Sequence, residues 1–294
     1  MSWLLFIDEP GDHQVDLPYG VLAGIAIEDL NLWPLARKIA DAQKGFIGHS
    51  RIDDDDLSIE VDALLGPKIW EVAGLYPNLE WRASIRRLIR ESNITASDSL
   101  ELMAATCHAN IAYCEYILNL ARDCGAVSFS IFIPSESIST QFSDQLRKDY
   151  AYLFERFYNF LKQDERAIVG ILVLPQQGRK NSYVSLRSIE EYFIKTSNGR
   201  TRGQLILPSP LFVDGILRMI VHLSEVFSYV AGWSIRLPGM SQARRSEMSA
   251  LAAICSEMRF SYVAENGKKD WSFKYVNELL PTTPASRTRR SHHI

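Results

Sequence analysis

Two stretches of this chain are apolar without interruption, and both stop at a polar turn. Trp3-Leu4-Leu5-Phe6-Ile7 runs into Asp8-Glu9-Pro10-Gly11-Asp12-His13, and residues 167–174 end at Pro175-Gln176-Gln177-Gly178. Unbroken apolar runs predict strands covered on both faces, central in a sheet. Pro10 and Gly11 stop the first run sharply, because proline lacks an N–H and glycine tolerates a tight turn. Residues 19–27 read as a second strand, and the short link from Gly11 to Pro18 makes it an antiparallel neighbour of the first. Residues 127–133 alternate with period two and predict a third. The strand over 4–8 is therefore expected at the centre, with 19–27 on one side and a parallel strand, from 127–133 or 167–174, on the other.

Helical spacing predicts helices over 28–44, 78–92, from Ser97 or Ser99 to about Arg122, 139–162, 182–194, 214 to about 231, and 242–258. Within 139–162, Tyr150, Leu153, Phe154, Phe157 and Phe160 form an aromatic stripe that belongs to a core. Asn198, Gly199 and Gly203 read as a loop, 205–212 as extended, and 271–276 as a short last strand. Residues 59–66 surround Glu60 with apolar neighbours, and periodicity leaves strand or first helical turn open. The order predicts one α/β domain over 1–280. Its sheet is mixed, antiparallel in the first strands and parallel in the later ones, with helices on both faces. Residues 281–294, with Arg287, Arg289 and Arg290, read as a mobile basic tail.

The chain has 294 residues, 47% hydrophobic and 23% charged, enough for an ordinary core. Its net charge of −3 gives no overall attraction to nucleic acid, so any such binding needs a local basic patch. The apolar start is far too short for a leader or a membrane span, and no membrane partner is expected. Cys107, Cys114, Cys124 and Cys255 form no C-x-x-C pair and read as buried free thiols of a cytoplasmic protein. Cys107 and Cys114 lie two helical turns apart, too far to share one tetrahedral zinc.

Chemistry concentrates where the first strand stops. Asp8, Glu9 and Asp12 crowd together and repel unless a proton or a divalent cation joins them, and hard oxygen ligands suit Mg²⁺ or Mn²⁺. The alternative is a polar turn that only ends the strand. Asp53 to Asp56 read as a solvated loop. In the helix after Asp214, Arg218, His222, Glu225 and Tyr229 are spaced to line one polar face opposite an apolar stripe. That face is either a solvent face with a weak ion pair or part of a site. Arg82, Arg86 and Arg90 recur every four residues, as a solvated stripe or as a phosphate contact.

Taken together these segments resemble the domain of unknown function 3800 family, bacterial and mobile-element proteins of an RNase H-like fold. Phe6-Ile7-Asp8-Glu9-Pro10-Gly11-Asp12 is similar to the family's opening hydrophobic-hydrophobic-Asp-Glu-Ser-Gly-Asp. Residues 59–70 resemble its glutamate segment, 170–174 its central strand, and 210–214 with 221–229 its closing helix. The resemblance spans about residues 3–235. It implies a divalent-metal-dependent nuclease in an anti-phage-defence or mobile-element setting, acting on DNA or RNA and working with a partner protein. Asp8 would bridge Mg²⁺ or Mn²⁺ ions, Glu60 and Glu225 would complete the shell, and Glu9 or Asp12 would support it. His222 would move a proton or hold Glu225, and Arg218 would meet a phosphate. The chain departs from the pattern at four points. Pro10 replaces the signature serine and Val61 a basic residue. His222 and Glu225 stand for glutamine and aspartate. Pro175 stands where the central strand usually ends in aspartate. These departures leave a second expectation, an RNase H-like subunit that recognises a partner without cutting.

Overall fold

The computed structural model describes residues 1–8, 17–48, 60–88, 95–135, 146–164, 166, 169–176, 178–264 and 267–277. The chain opens with β1 (Ser2–Asp8), β2 (Tyr19–Glu28), α1 (Asp29–Ile47), α2 (Val61–Leu65), α3 (Pro67–Gly74), α4 (Trp81–Leu88) and α5 (Ala96–Asp123). Next come β3 (Val127–Pro134), α6 (Lys148–Gln163), β4 (Val169–Pro175), α7 (Gly178–Lys195), α8 (Ser197–Arg202) and β5 (Leu211–Val213). Last are α9 (Arg218–Ser234), α10 (Ser249–Glu257), β6 (Ser261–Val263), β7 (Lys269–Trp271) and β8 (Phe273–Tyr275).

Six strands form one mixed sheet in the order β5-β4-β1-β2-β3-β8. The unbroken apolar runs are central, as their patterning requires. β1 pairs antiparallel with β2, Asp8 opposite Ala23, and parallel with β4, Phe6 opposite Val173. The parallel neighbour is thus β4; β3 lies beyond β2 and pairs with it antiparallel. The outer partners β5 and β8 add in parallel. β6 and β7 form a separate hairpin.

Alternation along β1 divides its side chains between two cores. Leu4 and Phe6 meet α1, α5, α9 and α10 on one face. Trp3, Leu5 and Ile7 meet α6 and α7 on the other, where the predicted stripe of Tyr150, Leu153, Phe154 and Phe157 is buried. Helices do cover both faces. Of the cysteines, Cys107, Cys114 and Cys255 are buried and Cys124 is half-buried, all four as free thiols. Burial pushes each of these thiols up.

Local chemistry moves several boundaries. α5 is capped by Thr95, ahead of Ser97 and Ser99. Its hydroxyl accepts from the Asp98 N–H while the Asp98 carboxylate accepts from the Thr95 N–H, a complete capping box. The expected loop at 198–203 is α8, because the Thr196 hydroxyl accepts from Gly199 N–H and starts a turn. Residues 242–248 are not α-helical; a 3₁₀ turn (Ser246–Met248) leads into α10. Only Leu211–Val213 of the extended stretch joins the sheet as a strand. The four aspartates at 53–56, Arg90, the segment 136–145 and the basic tail lie outside the described residues.

Candidate functional site

Asp8 is the last residue of β1 and is 9% exposed. By alternation it shares the face of Leu4 and Phe6, which is the face that α9 covers. α9 is pinned there by Ser224, whose hydroxyl donates to the Phe6 carbonyl at 3.1 Å. Glu225 is the next residue on the helix and is half-buried. It lies 3.2 Å, Oε2 to Nδ1, from His222 one turn back.

Protein covers the polar face expected on α9 at His222 and Tyr229, while Arg218 and Glu225 each keep about a third of the side chain exposed. His222 is 1% exposed and Tyr229 9%. The His222 ring stacks on Tyr113 of α5 with centroids 6.0 Å apart. Its Nε2 is buried and has no hydrogen-bond partner among the described residues. The Tyr229 hydroxyl donates to Asp62 Oδ1 at 3.0 Å, tying α9 to α2, and the Arg245 guanidinium donates to the same hydroxyl and to the Leu65 carbonyl. Burial raises the Tyr229 phenol above its ordinary pKa, the Arg245 charge opposes this, and the Asp62 carboxylate adds to it. The solvent-face reading therefore fails for His222 and Tyr229, over which α5 and α2 pack, and holds in part for Arg218 and Glu225.

Glu60 occupies the N-cap position of α2, which settles helix over strand, and its side chain makes no capping hydrogen bond. It is exposed. The Asp62–Tyr229 contact brings the start of α2 beside α9, which itself packs on β1 through Ser224. Among the described residues, however, no group of three or more His, Cys, Asp or Glu side chains is placed to hold a metal ion. Glu9 and Asp12 lie outside the described residues. The described carboxylates alone do not fit the implied Mg²⁺ or Mn²⁺ pair. β4 closes with Pro175 opposite Val213, and Gln176 after it is exposed. Gln177 falls outside.

The basic candidates divide. Arg218 lies 3.6 Å from Asp214, and its Nε is buried without a partner. Arg82 lies over the rings of Phe46 and Trp81, at 5.3 and 4.9 Å. Arg86 is exposed and donates from Nε to the Arg82 carbonyl. Phe46 also contacts Tyr113 at 6.3 Å, so a run of rings leads from His222 through Tyr113 to Phe46 and the Arg82 cleft. That cleft, about 440 Å³, also holds Glu80 and Glu115, which offset the arginine's charge. Sequence reading missed Ser224, Asp62, Tyr113 and Arg245. Their roles arise from contacts across 16 to 218 positions, and no local pattern marks them.

No family model, curated protein or solved structure matches the chain.

Proposed function

We propose that this chain is an RNase H-like protein of the domain of unknown function 3800 kind, directed at nucleic acid, with a divalent-metal-dependent phosphodiesterase site at Asp8. One observation carries this reading. Asp8 ends the central strand, and α9 is held against that strand by the Ser224–Phe6 bond, so Glu225 lies on the same face. Support also comes from the sheet, antiparallel through β1, β2 and β3 and parallel through β1, β4 and β5. The central crevice of such a sheet, at strand C-termini, is where ligands bind. Mg²⁺ or Mn²⁺ would supply charge to a phosphate there. Asp8 and Glu225 would be the described contributors, with Glu60 and the acidic turn completing the set. The His222 contact with Glu225 supports the positioning role. Arg82 and Arg218 are the groups for the nucleic acid backbone.

A second reading, a non-cutting subunit that recognises nucleic acid or a partner protein, is favoured by specific features. Pro175 stands at the end of β4, Glu60 is exposed, and the described acids do not form a three-ligand group.

The deciding experiment is a Mn²⁺ thermal-shift titration of wild type and Asp8→Asn, beside cleavage assays on single- and double-stranded DNA and RNA. The nuclease reading expects stabilisation of about 2.7 kcal/mol at one hundred times the dissociation constant, lost in Asp8→Asn together with cleavage. Stabilisation without cleavage gives the second reading. No stabilisation and no cleavage removes the metal site altogether.

A further inference from the structure

On the face of the sheet opposite α9, a groove of about 880 Å³ opens between α6, α8 and the β6–β7 hairpin. Its size falls within the range of small-molecule sites, but its walls are mostly polar. Behind it lies Arg156, 0% exposed, on the aromatic helix α6. An arginine keeps its charge at any ordinary pH, so its burial demands carboxylates. Arg156 Nη2 is 2.6 Å from Asp270 Oδ2, and Nη1 is 3.4 Å from Glu155 Oε1. Arg202 adds a contact to Glu155 at 3.2 Å, and the Tyr262 hydroxyl donates to Asp270 at 3.1 Å. Arg156 Nε and Nη1 make no hydrogen bond among the described residues.

Both carboxylates are therefore fixed from behind while about a third of each side chain stays open, and both line the groove. A carboxylate fixed in this way presents unused lone pairs to a donor in front of it. Charged acceptors held rigid are well suited to vicinal hydroxyls, as an acidic residue takes a ribose diol in dinucleotide sites. Two turns further along α6, Lys162 lines the same groove and has no ion pair among the described residues. Tyr158 offers a ring, and Asn159 and Asn198 offer amides from opposite walls. Two positive side chains, Arg202 and Lys162, and two negative ones, Glu155 and Asp270, line the groove, and the Arg156 charge stands behind the two carboxylates.

We propose that this groove binds a small ligand carrying a vicinal diol and a phosphate, with Glu155 and Asp270 accepting from the diol and Lys162 meeting the phosphate. Such chemistry comes from a ribonucleotide or from a sugar phosphate. The inference does not rest on the nuclease reading, since it uses the other face of the sheet and none of the same residues.

The test is calorimetric titration of the full chain with AMP, 2′-deoxy-AMP, ribose 5-phosphate and glucose 6-phosphate. Saturable binding of AMP is expected, weakened about tenfold or more by loss of the 2′-hydroxyl and by Lys162→Gln. Lys162 is exposed, so this variant keeps the fold. Asn198→Ala is a second variant that leaves the Arg156 pair untouched. Tighter binding of AMP than of ribose 5-phosphate identifies a nucleotide; preference for a sugar phosphate identifies that class. No binding of any of the four at millimolar concentration overturns the proposal, as does binding that neither variant changes. Equal binding of AMP and its deoxy form overturns the diol assignment.

Discussion

The two faces of the sheet each bury one basic side chain on the helix that packs there, and they do so in opposite ways. α9 buries His222, and α6 buries Arg156. His222 lies beside the half-buried Glu225 carboxylate and stacks on Tyr113. Arg156 keeps its charge when buried, and Glu155 of α6 and Asp270 of β7 lie close to it. The surroundings also differ: α5 and α2 pack over His222 and Tyr229, while a polar groove opens beside Arg156 on α6.

That contrast is open to direct attack. The largest effect is expected from Arg156→Leu, which strands two carboxylates. Breaking a buried pair costs about 3–5 kcal/mol. Here about a third of each acid is in solvent, so screening reduces the expectation to about 2–3 kcal/mol. Urea denaturation measures it, and Arg156→Leu with Asp270→Leu should recover part of the loss. A cost below about 1 kcal/mol would show that the carboxylates were never dependent on the arginine.

Packing supplies the next comparison. A Cβ on Gly170 of β4 would stand 2.4 Å from Leu161 Cδ1 and 2.6 Å from Phe157 Cε1, both on α6. Gly170→Ala should cost about 1–3 kcal/mol through overpacking. On α9, a Cβ at Gly232 would stand 3.1 Å from a Leu17 methyl. Leu17 has to give only slightly, and alanine gains about 1 kcal/mol of helix propensity over glycine. Gly232→Ala should therefore change stability by less than Gly170→Ala, measured side by side by thermal or urea unfolding. Equal losses would mean that the α9 face is as rigid as the α6 face.

His222→Leu is the counterpart of Arg156→Leu. It removes one hydrogen bond to Glu225, worth about 0.5–1.5 kcal/mol, and also removes the unpartnered Nε2, whose burial is itself unfavourable. The two nearly cancel, and a stability change within about 1 kcal/mol is expected. A loss matching that of Arg156→Leu would show that the Glu225 contact is worth far more than an ordinary hydrogen bond.

The same contrast explains which parts of the molecule were legible in the sequence. β1 and β4 stood out because a strand covered on both faces has no polar position to interrupt it. The aromatic stripe of α6 stood out because its period matches the helix. Glu155 and Asp270, by contrast, lie 115 positions apart, and nothing near either of them points to Arg156 as their common partner. The polar face of α9 has the spacing of a solvent face, and only the packing of Tyr113 and Asp62 against it reveals burial. Short polar elements such as α8 and the β6–β7 hairpin have too few residues to show a period. Asp8 was legible as the end of a central strand; the ligand set around it was not, since Glu60, Glu225 and Asp8 depend on how three separate elements meet.

The smallest expected effect concerns how the two helices end. α6 ends at Asp164, whose carboxylate accepts from the Arg166 guanidinium, and Arg166 continues to Glu28 of β2. The Arg166 bonds hold Asp164 down to about 2, against an ordinary value of 3.8. The carboxylate is thus harder to protonate in the folded chain than in the unfolded one. Its contribution to stability is present above about pH 4 and is lost as pH falls through about 2. α9 ends differently. Arg236 donates to the carbonyls of Gly232 and Ile235 at 2.9 and 2.7 Å, and to Gln242 and Ala243. Backbone carbonyls do not titrate, so the Arg236 contacts are not acid-sensitive, and the Glu247 carboxylate reaches this end only through Arg245. Amide chemical shifts followed from pH 5 downward should therefore move at Arg166, with a midpoint near 2, and stay still at Ile235. Asp164→Asn should abolish the first transition and leave the second helix end unchanged. Movement at Ile235 with the same midpoint would mean that the two ends unfold together, and that the faces are coupled through the sheet.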